Sequence, residues 1–232
     1  MSFSVSHTGS GIEYNGTSIN HLFGQRKNLL SPRFWRFLMR INRFNAEAVA
    51  AFFAPLIEEG FDVVPLTTSC ALMLKFEWPL LLPDNAAVKK LSQATFDLSE
   101  YVVDLSKQHG LVPIEAMPSG IAVHFACHAR AQNMGPKAVE MLKLIPEARP
   151  QVVERCSGHG GKWGIFKENF DTAIKVGKPA ARAIDKLKPD YVVSECPLAG
   201  PHLKQVLKAV DSDVTPERIG HPIEVMVKAY GL

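Results

Sequence analysis

At 232 residues, 47% of them apolar and 21% charged, the chain has the composition of an ordinary globular protein that can bury a real core. A net charge of +3, from 26 Lys and Arg against 23 Asp and Glu, gives no footing for nucleic-acid binding, and no run approaches the ~18 consecutive apolar residues that a membrane span requires. No basic segment followed by an apolar run opens the sequence, so a cytoplasmic location is expected, where the four cysteines are reduced thiols, metal ligands or small buried hydrophobes.

Residues 2–15 alternate loosely around a Gly-rich turn and read as a β-hairpin. Ser31 and Pro32 then supply the N-cap and first position of a helix running to Phe44. Its Phe34, Trp35, Phe37, Leu38, Ile41 and Phe44 form an apolar stripe opposed by four arginines. Such a helix can lie on a membrane surface, though packing on its own protein is commoner. Residues 1–44 (M-S-F-S-V-S…I-E-Y-N-G-T…N-L-L-S-P-R-F-W-R) resemble an internal piece of an FAD-dependent amine-oxidase-like flavoprotein. No G-x-G-x-x-G opens a βαβ unit here, so no flavin site carries over. The resemblance implies an N-terminal hairpin-and-helix appendage, a fusion fragment joined near Arg43-Phe44-Asn45.

From Asn45 the pattern becomes regular α/β. Ala46–Glu59 is a helical stripe, Phe61–Leu66 a strand leading to Cys70, and Ala71–Phe76 a helix ending near Trp78-Pro79. Helices follow at 85–94 and 97–108, then a strand-turn passage at Leu111–Ser119. Three buried-strand runs each end in a cysteine: Ile121–Phe125 before Cys127, Gln151–Glu154 before Cys156, and Tyr191–Val193 before Cys196. Helices at Met134–Ile145, Lys167–Leu187, Pro201–Val210 and Pro222–Tyr230 complete the pattern. The expected fold is α/β, a mostly parallel sheet with flanking helices, over a single domain at 45–232.

The thiols of Cys127, Cys156 and Cys196 are separated by roughly 30 and 40 residues, one crossover unit each. Carboxyl ends of parallel strands meet at one crevice, so the three are expected to face each other as an iron–sulfur or other soft-metal site needs. A single Cys at a strand end is more often a small buried hydrophobe; three at matching ends point to a set. His124 alternates with apolar neighbours and reads as a satisfied core histidine, while His128 and His159 each follow a cysteine closely enough to touch a bound group. Gly158, Gly160 and Gly161 make either a tight turn or an anion-binding nest, to which Arg130 and Lys162 would add positive charge unless they are simply solvated. Hydrolase signatures are absent: there is no G-x-S-x-G, H-E-x-x-H or G-x-x-x-x-G-K-[ST], and Cys156 with His159 lacks an orienting third group.

These elements resemble the cysteine-rich CCG domain family, whose members include the B subunit of heterodisulfide reductase, the C subunit of anaerobic glycerol-3-phosphate dehydrogenase and the iron–sulfur subunit of glycolate oxidase. The family pattern, C…CCG…CxxC, usually occurs twice. Its second copy is matched by Cys127, by Cys156-Ser157-Gly158 and by Cys196-Pro197-Leu198-Ala199, and Cys70 matches the closing element of the first. Ser157 and Ala199 stand where two thiols are expected. The resemblance implies a 4Fe-4S electron-transfer subunit of a flavin-linked oxidoreductase, working with a flavoprotein partner and either cytoplasmic or peripheral to the inner face of a membrane. Its metal ligands would be Cys127, Cys156 and Cys196 joined by Cys70, or by His128 or His159 as a nitrogen donor. The alternative is a degenerate domain that has lost its cluster and serves as a binding or scaffold module; a zinc or thiol-chemistry role is a third and weaker reading.

Overall fold

A computed structural model describes residues 7–8, 11–14, 17–18, 32–110, 114–161 and 163–232, with side chains from residue 39 onward. The chain divides into two units, Met1–Val49 and Ala50–Leu232. In the first, β1 (His7–Thr8) pairs antiparallel with β2 (Gly11–Tyr14), as the hairpin reading expects, and β2 pairs with a third short strand, β3 (Thr17–Ser18). The apolar stripe expected at Phe34, Trp35, Phe37 and Leu38 lies outside the described side chains.

Two expectations for the next stretch are corrected. The helices read at 31–44 and 46–59 are one helix, α1 (Pro32–Glu58), because no Gly or Pro interrupts residues 33–54 and the Ala-rich run favours helix throughout. The strand expected at Phe61–Leu66 shrinks to a single parallel bridge between Val63 and Thr95, since Pro65 has no N–H to give and Phe61 and Leu66 are exposed. Beyond it, α2 (Thr68–Leu72) widens into a π-helical turn at Met73–Glu77 and resumes as α3 (Trp78–Leu81). Pro79 therefore opens a new segment, where a missing N–H costs least, instead of ending the helix. Asn85 caps α4 (Ala86–Gln93), and Asp97 with Glu100 forms a capping box on α5 (Leu98–His109).

The remaining elements build the sheet. They are β4 (Gly120–His124), α6 (Cys127–Ala131), α7 (Lys137–Leu142), β5 (Arg149–Val153), a 3₁₀ turn at Trp163–Ile165, α8 (Lys167–Leu187), β6 (Tyr191–Ser194), α9 (Ala199–Lys208) and α10 (Pro222–Ala229). β4 is central and parallel to both neighbours, in the order β5-β4-β6, which gives the mostly parallel sheet. Residues 111–113 of the expected strand-turn passage lie outside the described residues; 114–119 are irregular.

Alternation along the strands divides the core. Ile121 and Val123 of β4 and Val193 of β6 join Val103, Met141, Leu142 and Met226 on the face covered by α5, α7 and α10. Ala122, Val153 and Val192 meet Ala180, Ala181, Ile184, Leu203 and Val206 of α8 and α9 on the other. Each large side chain buried here contributes about 1.5–3 kcal/mol, so the sheet is held from both faces. β5 is an edge strand in which Pro150 and Val153 are buried and Arg149, Gln151 and Val152 exposed, and it holds a proline, as an edge allows.

Close backbone approach fixes the loop after β5 on α8. A Cβ on Gly158, whose φ is +94°, would meet the Ala173 carbonyl oxygen at 2.2 Å, and one on Gly177 would meet the Ser157 oxygen at 2.5 Å. Gly158→Ala should therefore lower unfolding free energy by roughly 2–5 kcal/mol, combining left-handed strain with overpacking; urea denaturation measures it, and an unchanged midpoint would contradict the contact.

Candidate metal centre

Because β4 is parallel to both neighbours, the three strand ends open on one side of the sheet. Cys127 is the first residue of α6, Cys156 lies in the loop three residues past β5, and Cys196 lies two past β6, just before α9. All three line one cleft of about 70 Å³, together with His124, His128, His159, Arg155, Ser157 and Ala199. By the measure that a water needs 10–15 Å³ or so, this is room for a few waters. Cys70, in α2, is exposed and is not among the lining residues. Among the described residues, no three His, Cys, Asp or Glu side chains already form a metal-binding group.

The other expected residues take distinct places. His128 Nδ1 is 3.6 Å from Cys127 Sγ. Gly158 donates its N–H to Cys156 Sγ at 3.4 Å, and Gly160 and Gly161 line the cleft in left-handed conformations, turning the chain tightly there. Arg130 also lines it and pairs with Glu154 at 3.4 Å. Lys162 lies outside the described residues. His159 is the best connected of the group: its Nδ1 donates to the Gly161 carbonyl at 3.0 Å, leaving Nε2 facing Cys196 Sγ at 3.7 Å. Behind it, the buried ring of His202 stands edge-on, 6.4 Å away between centroids.

Electrostatics sort these groups. Burial pushes the Cys196 thiol up, but the His159 hydrogen bond and the N–H groups of Ala199 and Leu198 outweigh it, so the net shift is downward. The same contact raises His159 against the opposing effect of burial. His124, by contrast, is lowered by burial to about 4 and stays neutral.

Sequence reasoning missed Glu195 altogether. It is completely buried next to Cys196, and neither carboxyl oxygen has a hydrogen-bond partner. Burial, and then the nearby Asp97, raise it to about 8, so it is protonated at neutral pH and adds no negative charge next to Cys196. Asp97 is itself raised by burial, although it accepts from Gln132 Nε2 at 3.1 Å and from Ser99 N. Ser194, at 2% exposure, was also missed. The available signal was a polar residue closing an otherwise apolar strand just ahead of a cysteine, in H-F-A-C and S-E-C alike.

Cys196 and Glu195 are each open to a direct check. Alkylation of Cys196 by iodoacetamide, followed by peptide mass, should show its rate rising at a lower pH than in His159→Gln, which removes the imidazole that favours the thiolate; identical profiles would contradict the pairing. For Glu195 the unfolded chain releases its proton near the ordinary 4.5 and the folded chain near 8, so stability is full below about pH 4.5 and falls as pH rises toward 8. At about 1.4 kcal/mol per pH unit the loss reaches a few kcal/mol, and Glu195→Gln should flatten most of it in denaturant melts from pH 5 to 8.5.

No family model matches the chain. It is 25% identical over 173 residues, or 74% of its length, to the C subunit of anaerobic glycerol-3-phosphate dehydrogenase of Escherichia coli K12. It is 31% identical over 132 residues (56% of its length) to an uncharacterised iron–sulfur protein of Methanocaldococcus jannaschii, and 26% identical over 155 residues (65%) to the B subunit of fumarate reductase (CoM/CoB) of Methanothermobacter marburgensis. The matches cover 41%, 25% and 29% of those proteins, so the chain spans less than half the length of the curated relatives it matches. With its parallel sheet and three strand-end cysteines, the chain is similar at low identity to iron–sulfur proteins and to subunits of anaerobic dehydrogenases and reductases, a likeness consistent with the CCG-type iron–sulfur family.

Proposed function

We propose that the chain is an electron-transfer protein or subunit holding an iron–sulfur cluster of the 4Fe-4S type on Cys127, Cys156 and Cys196, and that it serves a flavin-linked dehydrogenase or reductase. The observation that carries this reading is the meeting of the three thiols on one cleft, together with Ser157 and Ala199, the two positions where the family pattern has cysteines. The donor set fits the group: thiolates suit iron–sulfur clusters, and imidazole replaces thiolate on iron in some of them. Bound there, the cluster would supply one-electron chemistry.

His159 is the fourth ligand in this proposal, ahead of Cys70. It has the arrangement of metal-ligating histidines, one ring nitrogen donating to a backbone carbonyl and the other facing the site. The N–H groups of Gly158, Leu198 and Ala199 point at the sulfurs of Cys156 and Cys196, and such donors tune a cluster's potential. A redox partner is part of the reading, since the relatives include subunits of multi-subunit dehydrogenases and reductases. We place the chain in the cytoplasm or peripherally at the membrane's inner face; no helix among the described residues is long and apolar enough to cross it.

Ser157, Ala199 and the small cleft favour a second reading, a domain that no longer binds a cluster and acts as a scaffold. Iron and acid-labile sulfide in anaerobically purified protein separate the two. The expected result is brown protein with bound iron, and a higher iron content, lost more slowly in air, in the variant carrying Ser157→Cys and Ala199→Cys. Iron near zero in both defeats the redox reading, while iron only in the variant identifies a site that has lost its cluster.

A further inference from the structure

His124 closes the central strand, and both of its ring nitrogens are satisfied by the neighbouring strands' ends. Nε2 lies 3.0 Å from the carbonyl oxygen of Arg155, the residue before Cys156, and Nδ1 lies 2.9 Å from Ser194 Oγ. Ser194 Oγ in turn accepts the N–H of Cys196 at 3.3 Å. A carbonyl can only accept, so Nε2 carries the proton, Nδ1 accepts the Ser194 hydroxyl, and that hydroxyl's oxygen is free to take the Cys196 N–H. One directed chain thus starts from the strand leading to Cys127 and ends on the loops of Cys156 and Cys196.

An apolar side chain at 124 would carry no ring nitrogens to desolvate, but it would leave the buried Ser194 hydroxyl and the Arg155 carbonyl without these bonds. The imidazole carries that desolvation cost, and each bond it makes in return ends on a cysteine loop. From this we infer that His124, acting through Ser194 and the Arg155 carbonyl, is the positioning residue of the thiol site, holding the three cysteine loops in mutual register. Its neutral state at physiological pH keeps the chain's direction fixed. The inference rests on the reading of Cys127, Cys156 and Cys196 as one ligand set.

The test uses the full chain, reduced and without oxygen, with Co²⁺ alone as one probe and phenylarsine oxide, which bridges only thiols able to approach one another, as the other. In His124→Leu, circular dichroism should be retained, Co²⁺ affinity read from the thiolate charge-transfer band should fall about 10–100-fold, and arsenical bridging between cysteine loops should slow. Ser194→Ala, which removes one link, should fall part of the way. His124→Gln, whose amide offers one donor and one acceptor, should restore both readouts. Wild-type affinity and wild-type bridging in His124→Leu overturn the inference; if that variant does not fold, the same result in Ser194→Ala overturns it. Failure of the cluster reading is separately visible: wild-type protein without iron or sulfide, whose arsenical bridging still depends on His124, defeats the cluster and supports the positioning role. Iron-loaded wild type with an equally loaded His124→Leu variant does the reverse.

Discussion

Parallel pairing of β4 with both of its neighbours is the constraint on which the rest depends. It requires each connection to cross back over a face of the sheet, which is why α7, α8 and the helices packed with them cover both sides. It also makes all three strands stop on the same side. The order β5-β4-β6 puts chains leaving β4 and β6 at a topological switch, where open α/β sheets form crevices. The cysteines reach one cleft because of this geometry, with no contribution from closeness in sequence.

Gathering thiols at one place creates an electrostatic difficulty that the surroundings answer. Thiolates repel one another and any carboxylate nearby; here the adjacent carboxyl of Glu195 is kept neutral by burial, and backbone N–H groups and the His159 ring turn toward the sulfurs. Glu195 lies against a buried polar group of Asp97, Ser99 and Gln132, which ties the start of α5 to the end of α6. Charge regulation and packing are therefore the same feature at this end of the sheet.

How much the sequence disclosed varied with the range of the forces involved. β4, β6 and the bounds of α8 were legible because buried strands are continuous apolar runs and α8 repeats its apolar residues with helical period. The meeting of Cys127, Cys156 and Cys196 at one cleft could be anticipated from topology. Local signals mislead where they are read alone: Phe61–Leu66 has strand composition but no partner beyond Thr95, and Pro79 reads as a helix end although a widened turn accommodates it. Ser194 and Glu195 were invisible as partners, because what they do depends on neighbours 70 or more residues away, His124 in one case and Asp97 in the other.

Pro150 has a consequence for how the molecule meets others. In β5 the backbone groups of Arg149 and Val153 face β4, so positions 150 and 152 face outward, and of these only Val152 has an N–H. A fourth strand arriving at this edge would find half its donors missing. In-line polymerisation of sheets is thereby discouraged at β5, while the thiol-bearing end, with Cys127 and Cys156 exposed, stays open to solvent. The sheet stays small on this side, and its most reactive end stays the accessible one.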